Sequence, residues 1–206
     1  LESLVAFTET GDVLDIEPAG SLSLDVRGAF ADALSDTQNN LVMRAARLLH
    51  PYADGKGAHM TLHKHIPVGA GLGGGSGDAA AALRGLSGLW DIRLPQEKMQ
   101  QLALSLGSDV PVCYGQQSAW ISGAGEVVTP CWMPGGFHVV LVHPGIPLLT
   151  ADVYRRFDGA FAASMPMPQS WAHADDLLAD VTARHNMLEV PAIELQPAIA
   201  DIIQDI

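Results

Sequence analysis

The residues most suited to chemistry lie in the stretch 67–83, PVGAGLGGGSGDAAAAL, where six glycines fall between positions 69 and 77. Glycine adopts positive φ readily, so such a stretch can turn its backbone N–H groups toward a ligand. Strong helix formers follow at once, and a helix N-terminus carries unpaired N–H groups and partial positive charge. A bare loop that leads into a helix N-terminus binds anions, most often phosphate. The sequence therefore predicts a phosphate site, with the helix beginning near Gly77 or Asp78.

Two common phosphate loops do not fit this stretch. A Walker A loop needs a lysine followed by serine or threonine after its last glycine, and none is present. The spacing of Gly69, Gly71 and Gly74 does match a dinucleotide-binding fingerprint, but that motif needs an apolar strand before it. Residues 63–67 are instead polar and end in Pro67. A flexible linker is the remaining alternative, and linkers seldom lead into so apolar a helix.

The stretch resembles the phosphate-binding motif of the GHMP small-molecule kinases, Pro-x-x-x-Gly-Leu-Gly-x-Ser-Ser-Ala. Its longer form is similar to one branch of that superfamily, the kinases that phosphorylate the 2-hydroxyl of 4-diphosphocytidyl-2-C-methyl-D-erythritol in non-mevalonate isoprenoid (terpenoid) biosynthesis. The resemblance implies that ATP with Mg²⁺ binds here and that Ser76 contacts the metal. One departure is Gly77, where the family usually has a second serine. The nucleotide-binding residues implied by the motif are Pro67, Gly69, Ala70, Gly71, Leu72, Gly73, Gly74, Gly75, Ser76 and Gly77.

Two further residues match positions on the adenine side of the nucleotide in that family. Asn40 opens the segment NLVMRAARLL, whose apolar residues repeat with helical spacing. By residue type it is equally an N-cap of this helix, and the two roles are compatible. Lys64 falls on the apolar face of an alternating stretch, 59–66, where a charge needs a partner or access to solvent. The resemblance implies that Lys64 lines the adenine pocket, and the alternative is a lysine that extends to solvent.

The residue with the strongest claim to catalysis is Asp109, in the sequence LGSDVPV between a predicted helix and an apolar segment. By residue type alone it would be a turn or capping aspartate. The kinase family, however, has Gly-x-Asp-Val-Pro at this point, and its aspartate is the catalytic base. A carboxylate can accept the proton of a substrate hydroxyl as that oxygen attacks the γ-phosphorus. The resemblance therefore implies that Asp109 is the base and contacts the substrate.

Residues 143–154, HPGIPLLTADVY, resemble the family pattern His-Pro-Gly followed by a threonine and, four residues later, an aromatic residue. In the family these two residues lie beside the cytidine of the substrate. The resemblance implies that Thr150 and Tyr154 bind substrate, with Tyr154 stacked on the cytosine. The alternative is that Tyr154 is a helix residue packed on the core.

The elements that must position these residues are strands and helices in mixed order. The near-continuous apolar run Phe137–Val142 predicts a buried strand, and the Pro- and Gly-rich residues 130–136 predict a domain boundary before it. The resemblance implies an α+β, two-lobed GHMP kinase fold with mixed or antiparallel sheets, helices packed on one side and the active site between the lobes. It divides the chain into an ATP-binding domain, 1–131, and part of a C-terminal domain, 132–206. Strands are predicted at 1–7, 13–16, 20–28 and 59–66.

Composition excludes several other classes of protein. With 48% hydrophobic and 17% charged residues the chain is typical of a globular protein, and its net charge of −12 argues against nucleic-acid binding. No apolar run approaches the roughly 18 residues of a membrane span. Cys113 and Cys131 form no CxxC motif, which indicates reduced thiols and a cytoplasmic location. We therefore expect a small-molecule partner, no nucleic-acid or membrane partner, and a monomer or homodimer.

The family normally extends beyond these residues at both ends, with a lysine motif before them and a second glycine-rich loop after them. The resemblance thus implies a fragment of a working kinase, and we expect the chain alone to be inactive without that lysine. One alternative is another GHMP kinase, of homoserine or mevalonate type, against which the Gly-Gly-Gly-Ser insertion and the Asp-Val-Pro turn argue. The other is a nucleotide-binding domain that does not turn over ATP, for which the missing lysine and Gly77 argue.

Overall fold

The computed structural model describes residues 2–159 and 163–205, and the chain divides into two compact units. Of the described residues, the first unit comprises 2–68 and 73–129, and the second comprises 69–72, 130–159 and 163–205. None of the described helices has both the length and the apolar character needed to cross a bilayer. The strands are β1 (Glu2–Val5), β2 (Val13–Ala19), β3 (Leu22–Arg27), β4 (Gly57–His63), β5 (Ala119–Ser122) and β6 (Val127–Pro130). The helices are α1 (Leu41–Leu49), α2 (Gly74–Trp90), α3 (Gln96–Leu106), α4 (Val110–Gly115), α5 (Thr150–Arg156), α6 (Ala174–Ala183), α7 (Glu189–Leu195) and α8 (Ala198–Asp205), with 3₁₀ turns at Ala31–Leu34 and His50–Tyr52.

The first unit is built on a mixed three-stranded sheet in the order β2-β4-β3. The central strand β4 runs antiparallel to β2, with Met60 opposite Ile16, and parallel to β3, with Met60 beside Leu24. Alternation along β4 sends Met60 and Leu62 into the core, where both are fully buried. The polar residues His59 and His63 are only partly buried. The register thus gives the sheet one apolar and one polar face.

Helices α1 and α2 pack against each other and against this sheet. Val42, Ala45 and Leu49 on α1 follow the i, i+3, i+7 spacing of a buried stripe, and none has exposed surface. Leu83 and Leu86 on α2 are also fully buried. Each such large side chain stabilises the fold by roughly 1.5–3 kcal/mol relative to an exposed one. The first unit thereby has helices packed on its apolar face, as the fold class predicted.

The second sheet of the first unit has the order β1-β5-β6. Strand β1 is antiparallel to β5, with Ser3 opposite Ile121. The strands predicted at 1–7 and 13–16 therefore belong to two different sheets, although they are neighbours in sequence; Leu1 lies outside the described residues. The segment that connects β1 and β2 contains Asp12, whose side chain contacts residues that follow β4.

The second unit is helical, and the strand predicted at Phe137–Val142 is wrong. These residues have no regular secondary structure, and Val140 is 84% exposed. A strand needs a neighbour for its backbone N–H and C=O groups. Among the described residues of this unit, the only bridge outside a named strand joins Trp132 and Ser170. Burial in this unit falls instead on helix and loop residues, including Val153, Trp171 and Leu177.

Candidate active site

The glycine-rich stretch forms a loop into α2, and the helix begins at Gly74 rather than near Gly77 or Asp78 as predicted. Glycine is unfavourable inside helices by roughly 1 kcal/mol relative to alanine. Tertiary packing overrides this preference, because the first turn lies against α1: a Cβ on Gly75 would meet Leu41 Cδ1 at 3.4 Å. Gly73, just before the helix, has φ of +69°, a conformation that glycine adopts without steric cost.

The first turn of α2 presents backbone N–H groups rather than side chains. The Gly77 N–H donates to the Gly73 carbonyl over 2.9 Å, so the helical ladder starts there and the N–H groups of residues 74–76 have no acceptor within the helix. The half-buried Ser76 adds a hydroxyl to the same turn. These N–H groups, together with the helix dipole, can bind a phosphate oxygen.

The earlier residues of the loop, 69–72, belong to the second unit. The Gly69 carbonyl accepts a hydrogen bond from the Leu148 N–H over 3.0 Å. Gly69 has φ of +73°, and a Cβ there would lie 3.1 Å from Pro147 Cβ. Glycine is therefore required at position 69 both for its backbone conformation and for the close approach of Pro147.

Lys64 lies directly beneath the start of α2, in a buried ion cluster that we call the Lys64 cluster: Lys64, Asp12 and Asp78. Lys64 Nζ donates to Asp12 Oδ2, and to Asp78 Oδ2 over 2.9 Å. The three side chains are 3%, 4% and 7% exposed, respectively. The alternative of a solvent-reaching lysine is thus wrong, because the ammonium is paired inside the protein. The adenine-side role of Lys64 stays a prediction.

Asp12 and Asp78 respond differently to burial in this cluster. Burial alone would raise the pKa of Asp12, but the hydrogen bond from Lys64 and those from the Ile66 and His65 backbone lower it below the ordinary value of 3.8. Burial raises the pKa of Asp78 to about 6, against the attraction of Lys64. Asp12 is therefore the firmer counter-ion of Lys64.

Asn40 is the N-cap of α1. Its Oδ1 accepts a hydrogen bond from the Val42 N–H over 2.9 Å, as the capping alternative predicted. Because Leu41 packs against the position of Gly75, Asn40 lies close to the first turn of α2. This placement is compatible with the predicted adenine contact, which stays a prediction.

Asp109 immediately precedes α4 and is half-buried. Its side chain makes no hydrogen bond to the α4 backbone; Asp109 Oδ1 accepts from Ser108 Oγ over 3.2 Å. Burial raises the pKa of the Cys113 thiol to about 11, and the charges of Asp109 and Asp78 add to that rise. Helix α4, which Asp109 precedes, packs against α2, and Arg84 of α2 donates to the Cys113 carbonyl over 2.8 Å. The catalytic role of Asp109 stays a prediction.

The turn between β5 and β6 positions the backbone beside Asp109, a role that the sequence left open. Gly125 has φ of +104°, and a Cβ there would lie only 2.2 Å from the Ser108 carbonyl oxygen. Glu126, to which the sequence assigned no role, accepts a hydrogen bond from the Ala124 N–H over 2.6 Å and so closes this turn. The turn thus packs against the residue that precedes Asp109.

Replacing Gly125 with alanine is expected to lower both kcat and stability. The methyl group would displace the Ser108 carbonyl and with it the Asp109 carboxylate, in addition to a backbone strain of about 1–3 kcal/mol. Gly55→Ala is the matched control, since Gly55 also has positive φ, +76°, but nothing lies within 4 Å of the added methyl. Thermal melts and steady-state kinetics of both variants check this. Equal losses of kcat in the two variants would contradict a positioning role for Gly125.

Thr150 and Tyr154 lie on α5, in the second unit. Thr150 is the first residue of the helix and is exposed, and Tyr154 is 46% exposed. The alternative that Tyr154 packs on the core is thus wrong, and its ring is accessible to a ligand. Their predicted substrate contacts are not tested by these observations and stay predictions.

Among residues 2–159 and 163–205, no group of three or more His, Cys, Asp or Glu side chains could hold a metal ion. Magnesium commonly uses few protein ligands and takes the rest from water and substrate phosphates. A metal contact through the Ser76 hydroxyl is compatible with that chemistry.

Comparisons with known proteins bear directly on this loop and fold. The model of the GHMP kinases N terminal domain matches residues 40–117. A solved structure of 4-(cytidine 5'-diphospho)-2C-methyl-D-erythritol kinase superposes with a TM-score of 0.66 at 30% identity, over 93% of this chain and 67% of that one. Homoserine kinase from Cytophaga hutchinsonii is 15% identical with a TM-score of 0.54, over 75% of this chain and 54% of that one, and shows the fold alone.

Relatives similar in sequence carry one common name. 4-Diphosphocytidyl-2-C-methyl-D-erythritol kinase from Parvibaculum lavamentivorans is 44% identical over 98% of this chain and 71% of its own length. The protein of the same name from Paramagnetospirillum magneticum is 42% identical, with the same two shares. The fold and the glycine loop that opens α2 are those of a GHMP kinase, a small-molecule kinase. Within that class, the chain belongs to the family of 4-diphosphocytidyl-2-C-methyl-D-erythritol kinases.

Proposed function

We propose that this protein transfers the γ-phosphoryl group of ATP to the 2-hydroxyl of 4-diphosphocytidyl-2-C-methyl-D-erythritol, a step of non-mevalonate isoprenoid biosynthesis. The single observation that carries this assignment is the 44% identity, over 98% of the chain, to a relative of that name. The geometry of the first unit is compatible with it, because the first turn of α2 offers backbone N–H groups to a phosphate and Asp109 precedes a helix, α4, that packs against α2.

In this proposal the glycine-rich stretch 67–77, which comprises the glycine loop and the first turn of α2, binds the phosphates of ATP. The N–H groups of residues 74–76 donate to phosphate oxygens, where they stabilise the negative charge without a cost of reorganisation. Asn40 and Lys64 lie on the adenine side. Asp109 accepts the proton of the 2-hydroxyl as its oxygen attacks the γ-phosphorus.

The proposal includes Mg²⁺ as the metal that accompanies ATP. Mg²⁺ bound here would supply positive charge that offsets the negative charge of the phosphates. The chain's own contribution is the Ser76 hydroxyl in the first turn of α2. The described residues offer no carboxylate-rich metal group, so we propose that the nucleotide brings the metal to the loop.

The reaction is tested by ADP release with three candidate acceptors. The assay offers the purified full-length protein Mg-ATP with 4-diphosphocytidyl-2-C-methyl-D-erythritol, homoserine or mevalonate, one at a time. We expect ADP release with the first alone, and a product of which phosphorus NMR shows a new phosphate monoester. Release with either other acceptor and not with the first would overturn the assignment.

Replacing Tyr154 with alanine is expected to raise the KM for the cytidine-containing substrate about 10-fold or more, since base stacking on an aromatic ring contributes roughly 1–3 kcal/mol. Tyr154→Phe is the matched control, because it keeps the ring and loses only the hydroxyl. The KM for ATP should stay the same in both variants. Steady-state kinetics with each substrate varied in turn measures this. An unchanged KM for the acceptor in the alanine variant would contradict the stacking role.

We further infer a cytoplasmic setting for the reaction, where ATP is available. Cys113 and Cys131 are both free and buried, and burial raises the pKa of each thiol. Neutral, buried thiols are unreactive toward disulfide exchange. Their state is compatible with a reducing compartment.

A further inference from the structure

The Lys64 cluster fastens both ends of the glycine loop. Asp12 Oδ1 accepts hydrogen bonds from the His65 N–H over 2.6 Å and the Ile66 N–H over 2.9 Å, just before the loop starts at Pro67. Asp78, the fifth residue of α2, accepts from Lys64 Nζ. Lys64 links the two carboxylates, so one buried cluster holds the chain just before the glycine loop and in the first turns of the helix that follows it.

The cluster also touches the first helical residue of α2. A Cβ on Gly74 would lie 3.6 Å from both Asp12 Oδ2 and Lys64 Nζ, and 3.5 Å from Ile66 Cγ2. The backbone of Gly74, whose N–H is one of those proposed to donate to phosphate, therefore packs closely against the ion cluster. The loop before α2 contains three glycines with positive φ, Gly69, Gly71 and Gly73, and is conformationally free. Apart from the hydrogen bond between Gly69 and the Leu148 N–H, its order depends on what anchors its ends.

We propose that Asp12 is a positioning residue for nucleotide binding: with Lys64 and Asp78 it holds the glycine loop in its phosphate-binding conformation before ATP arrives. A loop that is ordered in advance loses less conformational entropy when ligand binds, and the affinity rises accordingly. This inference rests on the proposed function, since it concerns the ATP site of that reaction. It assigns a role to a residue outside the glycine motif and distant from it in sequence.

Stability alone is a weak explanation for such a cluster. Burying charged groups costs desolvation that the ion pairs only partly offset, and apolar residues of similar volume often serve a core as well or better. Lys64 Nζ has three N–H donors, and two of them go to carboxylates, which leaves at most one for a nucleotide. The arrangement is therefore suited to fix the lysine and the loop rather than to leave the ammonium free for ligand.

The test compares Asp12→Ala with Asp15→Asn. Asp15 is a matched control on β2, because its side chain is 65% exposed on the polar face of the sheet, where it pairs with His63. In the full-length enzyme we expect Asp12→Ala to raise the KM for ATP about 10-fold, with kcat and the KM for the acceptor changed less than about 3-fold. Asp15→Asn should change none of these. An Asp12→Ala enzyme that melts at a lower temperature but binds ATP as the wild type does would overturn the proposal.

Two further measurements keep the test decisive. If Asp12→Ala does not fold, Asp78→Asn is the second variant, because the contacts of Asp12 with Lys64, His65 and Ile66 do not involve the side chain of Asp78. It is expected to raise the KM for ATP in the same direction, and an unchanged KM would count against the proposal. Hydrogen exchange of the loop amides, 69–77, without nucleotide should be faster in either variant than in wild type. This measurement does not depend on kinase activity. If the loop amides exchange more slowly in wild type than in the variants but the wild type has no kinase activity, only the proposed function is contradicted. If wild type and variants exchange at the same rate, the positioning role of Asp12 is contradicted.

Discussion

Replacing Asp109 with asparagine is expected to lower kcat by about 10²–10⁴-fold, the usual contribution of a general base. Asparagine has nearly the same shape but cannot accept the proton of the substrate hydroxyl at neutral pH. The start of α4 should be preserved, because the Asp109 side chain makes no capping hydrogen bond to it, and an amide can still accept from Ser108 Oγ. Steady-state kinetics gives the loss of kcat, and titration calorimetry should show ATP affinity within about 3-fold of wild type.

Asp32→Asn is the control for the loss of one negative charge. Asp32 is exposed in the first turn of the 3₁₀ segment Ala31–Leu34, and its replacement should leave kcat unchanged. An Asp109→Asn enzyme that keeps most of its activity would show that another group takes the proton. A parallel loss of ATP affinity would instead show that Asp109 acts in binding.

Local sequence signals predicted much of the first unit. The apolar spacing after Asn40 predicted α1, and the capping chemistry of asparagine predicted its first residue, because both depend on residues within one or two helical turns. The glycine stretch likewise predicted a loop that leads into a helix. The resemblance to the GHMP kinases then supplied the fold class, which the comparisons confirm.

What the sequence did not predict depends on contacts between distant residues. The start of α2 at Gly74 reflects packing of Gly75 against Leu41, a residue distant in sequence, and no local preference favours a helix that begins with two successive glycines. Asp12 was given no role, since its pairing with Lys64 depends on the register of β2 against β4, in which Val13 lies opposite His63. A register of this kind follows from the whole sheet and cannot be derived from either strand alone.

The exposed run Phe137–Val142 shows the limit of hydrophobicity as a signal. Five of these six neighbouring residues have apolar side chains, which predicts burial, yet Val139 is 57% and Val142 53% exposed. A strand forms only beside another strand, because its backbone N–H and C=O groups need hydrogen-bond partners. The described residues of the second unit provide no adjacent strand for 137–142. The composition of a segment does not indicate whether the fold places another strand beside it.

The buried charge of the Lys64 cluster gives the largest expected effect on stability. Replacing Lys64 with methionine should lower the free energy of unfolding by about 3–5 kcal/mol, because two buried carboxylates would lose their counter-charge. Lys98→Met is the matched control on the exposed surface of α3, where a change of less than about 0.5 kcal/mol is expected. Urea titration at neutral pH measures both. Coincident transitions of Lys64→Met and wild type would contradict the burial of an essential charge.

The triple variant K64M/D12N/D78N separates the charge of the cluster from its shape. It leaves no uncompensated charge, and the amide oxygen at position 12 can still accept from the His65 and Ile66 N–H groups, so most of the stability lost in Lys64→Met should return. If stability returns while ATP affinity stays low and the loop amides exchange faster than in wild type, the charges serve the loop, as proposed for Asp12. Low affinity with wild-type exchange would instead reflect the loss of the proposed adenine-side contact of Lys64. If ATP affinity returns as well, shape alone orders the loop, and the charged residues have no part in nucleotide binding beyond filling that space.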